Sequence, residues 1–146
     1  MASAFDVAEY LLSKADIEEG DGMTHLKLQK LLYYCQGFAL AILKRELFEE
    51  KIEAWPHGPV VPDVYYKYSY FKNQVIEDYE TSGIQNLTDD EKELIDAVYE
   101  VYGGNSASKL RNLSHSESPW QDAENKIDTT ITIEALKVFF PSLLRE

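Results

Sequence analysis

Phe5, Ala8, Leu11 and Leu12 recur at helical spacing behind Ser3, a residue type suited to an N-cap, and predict a first helix. It should end before the acidic turn Glu18-Glu19-Gly20-Asp21-Gly22. Thr24 caps the strongest pattern in the chain. Leu28, Leu31, Leu32, Cys35, Phe38, Ala39 and Ile42 keep the helical period and predict a central helix, despite Gly37 in its interior. From Lys44 to Trp55 the period changes to short alternating pieces, Leu47-Phe48 and Ile52-Glu53-Ala54-Trp55, which predict a two-stranded hairpin lying against helices. Pro56 forces Trp55 to be extended and stops the strand, and Gly58-Pro59 make the turn. Pro62 opens a further helix, with Asp63 complementing its positive end.

Leu87 to Gly103 predicts a well-punctuated helix, with a Thr88/Glu91 capping box, a buried stripe of Leu94, Ile95, Val98 and Tyr102, and Gly103 as the stop. Ser106 starts a short helix carrying Leu110 and Leu113. Ser118 caps another, with Gln121 at N3. Thr132 opens the last helix, where Ile133, Leu136, Val138, Phe139 and Phe140 precede Pro141. Gln74 to Asn86 reads as an exposed loop. No internal repeat, heptad array or low-complexity tract interrupts this order. The pattern predicts a mainly α fold: one compact domain over residues 1–146, of about six helices with one small β-hairpin.

Composition changes this picture little. At 146 residues, 45% hydrophobic and 12% aromatic, the chain can bury a real core. Its one cysteine, Cys35, excludes an intramolecular disulfide and a cysteine zinc site, and sits mid-helix as a core residue rather than a reactive thiol. The longest uncharged run, Leu31 to Leu43, falls short of the roughly 20 apolar residues a spanning helix needs. Met1 to Tyr10 carries no basic residue, unlike a signal peptide. A cytoplasmic protein without membrane contact is expected.

Charge changes it more. The formal net charge is −12, and nine acids with one lysine between Glu77 and Glu100 contribute −8 of it. Such acidity disfavours a conventional nucleic-acid reader, which needs a basic stripe, so no direct nucleic-acid binding is expected. A basic protein partner is electrostatically easier. The plainer alternative is a solvated, soluble face.

Candidate chemistry is sparse. His25, His57 and His115 are the only histidines, and no pair has helical ligand spacing, so no metal is expected. His57 lies in a Pro-His-Gly-Pro turn and His115 in a serine-rich one, where imidazoles hydrogen-bond loop backbone. Ser114, Ser116 and Ser118 suit turns and caps, since no Gly-x-Ser-x-Gly elbow is present. Nucleotide-cradling glycine loops are absent too. No catalytic residue, cofactor or enzymatic activity is expected, and a hydrolase using His57 or His115 is the minor alternative. The most unusual composition is Tyr65-Tyr66-Lys67-Tyr68-Ser69-Tyr70-Phe71. On a helix Val64, Tyr68 and Phe71 share one side with Tyr65 beside it, while Tyr66 and Tyr70 point elsewhere. These rings are either all core or half-buried, or they leave an exposed aromatic ridge for a partner.

Three segments together resemble one family. They are Leu26-Lys27-Leu28-Gln29-Lys30-Leu31-Leu32-Tyr33-Tyr34-Cys35-Gln36-Gly37, then Ile52-Glu53-Ala54-Trp55-Pro56-His57-Gly58-Pro59-Val60-Val61-Pro62-Asp63-Val64-Tyr65, then Leu113-Ser114-His115-Ser116-Glu117-Ser118-Pro119-Trp120. Their order and spacing are similar to the Panacea domain, the SocA-like antitoxin domain common in phage and prophage proteins. Cys35 stands where alanine is commoner, and Ser114 where threonine is. The resemblance, from about Thr24 to Phe140, implies a mainly helical domain that neutralises a cognate toxin protein by direct binding and, in one branch, presents it to a host protease. It also marks Gln36, Trp55, His57, Gly58, Pro59, Tyr65, His115, Pro119 and Trp120 as a motif cluster. No helix-turn-helix appendage is evident. Helix geometry and charge add Tyr66, Tyr70, Glu77, Asp78 and Glu80 as candidate partner contacts. The competing reading is a phage-encoded acidic protein that mimics nucleic acid or blocks a host defence factor. Turns rich in bulky rings must bury them, so Trp55, Pro59, Tyr65, His115 and Trp120 should cluster.

Overall fold

Ser3 and Asp6 exchange hydrogen bonds across the first turn of α1 (Ala4–Lys14), a capping box that leaves Val7, Ala8, Leu11 and Leu12 to face inward. The computed structural model describes residues 1–19 and 22–144. A π-turn over Ala15–Glu19 carries the helix into the expected acidic turn rather than ending before it. The centre of that turn, Gly20-Asp21, lies outside the described residues.

Thr24 accepts the Lys27 N–H and opens α2 (His25–Phe38). Every residue from Leu28 to Phe38 is buried, which makes α2 the central helix. It continues as a π-turn over Ala39–Leu43 and stops at Lys44, at φ 63°. The wider turn rotates Ile42 off the expected buried stripe, and Ile42 is 49% exposed.

The hairpin forms one segment later than its apolar pattern suggests. Ile52–Trp55 (β1) pairs antiparallel with Gly58–Val60 (β2), with Trp55 opposite Gly58, so Pro56-His57 is the turn and Gly58-Pro59 belongs to a strand. Leu47 and Phe48, expected as the other strand, are fully buried but paired to no strand. Their backbone bonds go to the Gln36 side chain instead. A side-chain amide therefore replaces a ladder there.

Pro62–Tyr68 forms α3, continued by a 3₁₀ turn over Ser69–Phe71. Residues 74–86, expected as an exposed loop, are mostly exposed but are also pinned as a strap to α1 and to the residues just before α2. Ile76 is buried and its N–H donates to the Met23 carbonyl. The Tyr79 hydroxyl reaches Asp16 and the Leu12 carbonyl, and the Gly83 N–H donates to Glu9. The Thr88/Glu91 capping box opens α4 (Asp89–Tyr102), whose Leu94, Ile95 and Val98 are buried while Tyr102 is half-buried.

Ser106 caps α5 (Ala107–His115), which buries Leu110 but leaves Leu113 39% exposed. In α6 (Ser118–Glu124) the N-cap position belongs to Glu117, and Ser118 is the first helical residue. Thr130–Ile131 (β3) adds to β1 on the side away from β2, giving a three-stranded sheet of order β2-β1-β3 rather than a hairpin. Thr132 opens α7 (Ile133–Phe139), which a 3₁₀ turn extends through Pro141 to Leu144. Val138, expected inside, is exposed. The fold is mainly α, with seven α-helices among the described residues.

Gly37 explains why a poor helix former occupies the middle of α2. A Cβ there would lie 2.2 Å from the Phe140 ring, which is fully buried against α2. Phe140 in turn meets Tyr33, Tyr34 and Phe38 edge-on at centroid distances of 5.4, 6.1 and 5.0 Å. Gly37→Ala should therefore destabilise the protein by about 1–3 kcal/mol in denaturant unfolding, although alanine is the better helix former. Adding Phe140→Leu should recover part of that loss. Additive losses would show that the two sites do not share this space.

Candidate partner-binding site

The three motif segments meet around α2. Gln29 Oε1, on the side-chain amide, accepts the Val61 N–H at 2.9 Å, fixing the exit of β2. Gln36 does the same for the approach to β1: its Nε2 donates to Phe48 O at 2.8 Å, and its Oε1 accepts from Leu47 N–H at 2.7 Å. Gly58 sits at φ 112°, where a Cβ would lie 3.0 Å from Lys30 Cε, so glycine lets the hairpin press onto α2. Pro59 and Pro119 are buried, while His57 is exposed at the hairpin turn.

The rings gather beside the hairpin. Trp120 Nε1 donates to the Trp55 carbonyl at 2.9 Å, and His115 stacks on Trp120 at 3.9 Å with planes 12° apart. Trp55 meets Tyr65 edge-on at 4.8 Å, and Tyr65 lies 4.4 Å from the His25 ring. Burial, then the nearby Arg111, lowers the pKa of His115. His115 is packed as a ring against Trp120, and its Nε2 has no hydrogen-bond partner among the described residues.

Glu117 is the residue that sequence reasoning undervalued. Instead of capping α6 with its side chain, it turns its carboxylate inward, 6% exposed. There it accepts from the Tyr33 hydroxyl at 2.9 Å and the Tyr34 hydroxyl at 3.1 Å. Burial raises its pKa to about 7, against the pull of the two tyrosine bonds. Both tyrosine hydroxyls are pushed upward by burial and by the carboxylate, so they remain donors. Two more buried polar residues of α2 were also missed. His25 finds no partner for either ring nitrogen, and burial followed by Lys30 lowers its pKa to about 4. Lys30 is 1% exposed, with its Nζ unpartnered and its pKa lowered to about 8 by burial and Arg111. Cys35 is buried, and burial pushes its thiol pKa upward.

The tyrosine-rich segment divides between the two sequence-based readings. Tyr68 is buried, Tyr65 and Phe71 are half-buried, and Tyr66 and Tyr70 are 66% and 86% exposed. The two exposed rings lean different ways, Tyr66 toward Trp55 and Tyr65, and Tyr70 toward Phe71. Tyr70 and Glu77 line one shallow surface hollow. Glu77 and Asp78 are exposed, and Glu80 pairs with Lys67 at 3.5 Å. Elsewhere the acidic stretch is partly neutralised. Glu91 and Asp90 meet Arg45, and Asp96 meets Lys14 and the Tyr10 hydroxyl. Among the described residues no group of three His, Cys, Asp or Glu side chains could hold a metal ion, and no helix is long and apolar enough to cross a membrane.

A helical domain whose central helix, hairpin and α5–α6 turn are locked together in this way has a counterpart in one family model. Antitoxin SocA-like, Panacea domain, matches residues 28–121, and the chain belongs to this family. Its similarity extends to Antitoxin SocA of Caulobacter vibrioides, 36% identical over 139 residues, spanning 86% of this chain and 72% of that protein. No solved structure matches.

The buried carboxylate gives a pH signature. A carboxyl whose folded pKa, about 7, lies above its ordinary 4.5 is held more tightly protonated in the folded state. Stability therefore falls as pH rises between those values, and the whole loss is present above the upper one. Glu117→Gln keeps the shape and cannot ionise. Between about pH 5 and about pH 8, denaturant unfolding should show the wild type losing on the order of 2 kcal/mol more than this variant. Parallel pH profiles would mean that Glu117 ionises as it does in water.

Proposed function

We propose that this protein is an antitoxin that neutralises a cognate toxin protein by direct binding. Membership of the SocA-like antitoxin family carries the reading. The surface is compatible with it: Tyr66 is exposed beside Trp55 and Tyr65, Tyr70 is exposed beside Phe71 and shares a hollow with Glu77, and Asp78 is exposed next along the chain. Rings of this kind supply contact area at low entropy cost, and rim charges speed encounter with a basic partner. The antitoxin acts by occlusion, covering the toxin's active surface for as long as the complex lasts. Delivery of the bound toxin to a protease is a further step that the family resemblance implies. The acidic-mimic alternative has less support, because three of the nine acids between Glu77 and Glu100 are engaged, Asp90 and Glu91 with Arg45, Glu91 also in the α4 cap, and Asp96 with Lys14.

Co-expression with the neighbouring gene, followed by co-purification, tests the role. A neighbour that is toxic alone and harmless when co-purified with this protein is the expected outcome. Absence of any complex with a toxic neighbour would reject direct binding. Within the complex, Tyr66→Ala with Tyr70→Ala should raise the dissociation constant by roughly thirtyfold, the effect of losing about 2 kcal/mol at a tyrosine anchor, with circular dichroism unchanged. Neutralising Glu77, Asp78 and Glu80 should act chiefly on the association rate and its salt dependence. Unchanged dissociation in the double tyrosine variant would place the interface on another face.

A further inference from the structure

Where the hairpin turn meets the start of α5, Leu26, Lys30, His57, Ala107, Ser108 and Arg111 enclose a hollow of about 70 Å³. Its lining is unusual for a protein of net charge −12, since two cationic side chains and an imidazole converge there and no carboxylate lines it. Among the described residues neither Lys30 nor Arg111 forms an ion pair. Lys30 is the sharper anomaly: its side chain is 1% exposed and its Nζ has no hydrogen-bond partner. A buried ammonium without a partner is costly, and an incoming anion relieves that cost. Burial, then Arg111, lowers the Lys30 pKa to about 8, and an anion seated beside it would oppose that shift.

The backbone adds to this. Ser106 caps α5 by accepting the Lys109 N–H, and Leu110 N–H bonds to Ser106 O. The N–H groups of Ala107 and Ser108 precede the first intrahelical bond and need an acceptor from outside the helix. They stand at the positive end of the helix, on residues that line the hollow.

We propose that this hollow binds a carboxylate carried by the partner protein, with Arg111 as the bidentate fork, Lys30 as the buried charge and the first turn of α5 as the amide donor. The partner's identity as a toxin rests on the antitoxin reading above. A carboxylate is the anion that a protein partner carries on its own side chains, and its two oxygens match the planar fork of Arg111. The hollow lies on the hairpin side of the molecule, and the acid it accepts fixes the register of the complex while exposed rings supply area.

Two measurements test this. In the first, the isolated isotope-labelled protein is titrated with sodium acetate, sodium phosphate and sodium chloride at constant ionic strength and followed by NMR. Saturable shifts of the Ala107, Ser108 and Arg111 amides with acetate, absent with chloride and lost in Lys30→Met and in the surface variant Arg111→Gln, are expected. Equal responses to chloride, or none at all, overturn the site, and stronger binding of phosphate overturns its assignment to a carboxylate. In the second, the affinity for the co-purified toxin is measured for the same two variants, with a weakening of about tenfold or more expected for each at unchanged fold. Acetate sites without any effect on toxin affinity overturn the assignment to the partner. A wild type that captures no toxin rejects the antitoxin reading instead, and the titration still decides the hollow.

Discussion

The central helix carries polar atoms into the middle of the molecule, and satisfying them fixes where three distant segments lie. Gln29, Tyr33, Tyr34 and Gln36 sit on α2 among leucines and are buried. A buried polar group left without a partner costs about 1–3 kcal/mol, more than a satisfied bond contributes. The Val61 N–H answers the Gln29 oxygen, though Gln29 Nε2 has no partner among the described residues, the 47–48 backbone answers Gln36, and Glu117 answers both tyrosines. Each answer comes from a different part of the chain. The hairpin, the segment before it and the α5–α6 turn are thereby held to one helix by directional bonds rather than by apolar packing alone.

This arrangement explains what was legible in the sequence. Local signals were read well: Ser3, Thr24, Thr88, Ser106 and Thr132 cap the helices their positions suggest. Each cap acts within three residues of itself, so the pattern needs no tertiary information. Features that depend on distant partners were not legible. Leu47-Phe48 has the alternation of a strand, yet its backbone is captured by an amide eleven and twelve residues away. The two-residue β3 is too short for any period to show. Glu117 gave no local signal, because its tyrosine partners lie more than eighty residues upstream.

The candidate site divides along the same line. Helix geometry alone set Tyr66 and Tyr70 apart from Val64, Tyr68 and Phe71, and both are exposed, Tyr66 on α3 and Tyr70 in the 3₁₀ turn that follows. The gathering of Trp55, Tyr65, His115 and Trp120 followed from the need to bury rings near turns. Lys30 gave no such signal, since a lysine in a helical stretch ordinarily sends its amine to water. Its burial comes from segments distant in sequence, the hairpin at Gly58 pressing on its stem and the start of α5 beside it.

The strap between α3 and α4 has a bearing on how such a protein diversifies. It is pinned at Ile76, at Tyr79 and at Gly83, each by bonds to α1 or its flanks or to the residues just before α2. Between those pins Glu77, Asp78 and Glu80 face solvent, and the one ion pair among them is exposed. The fold therefore places almost no steric demand on these three positions, because an exposed pair contributes little to stability. Mutation can rewrite the charge displayed there without disturbing a single core contact. Surface identity and structural integrity are in this sense inherited separately, one through a few pinned-down but freely chosen side chains and the other through the buried amides and hydroxyls of α2.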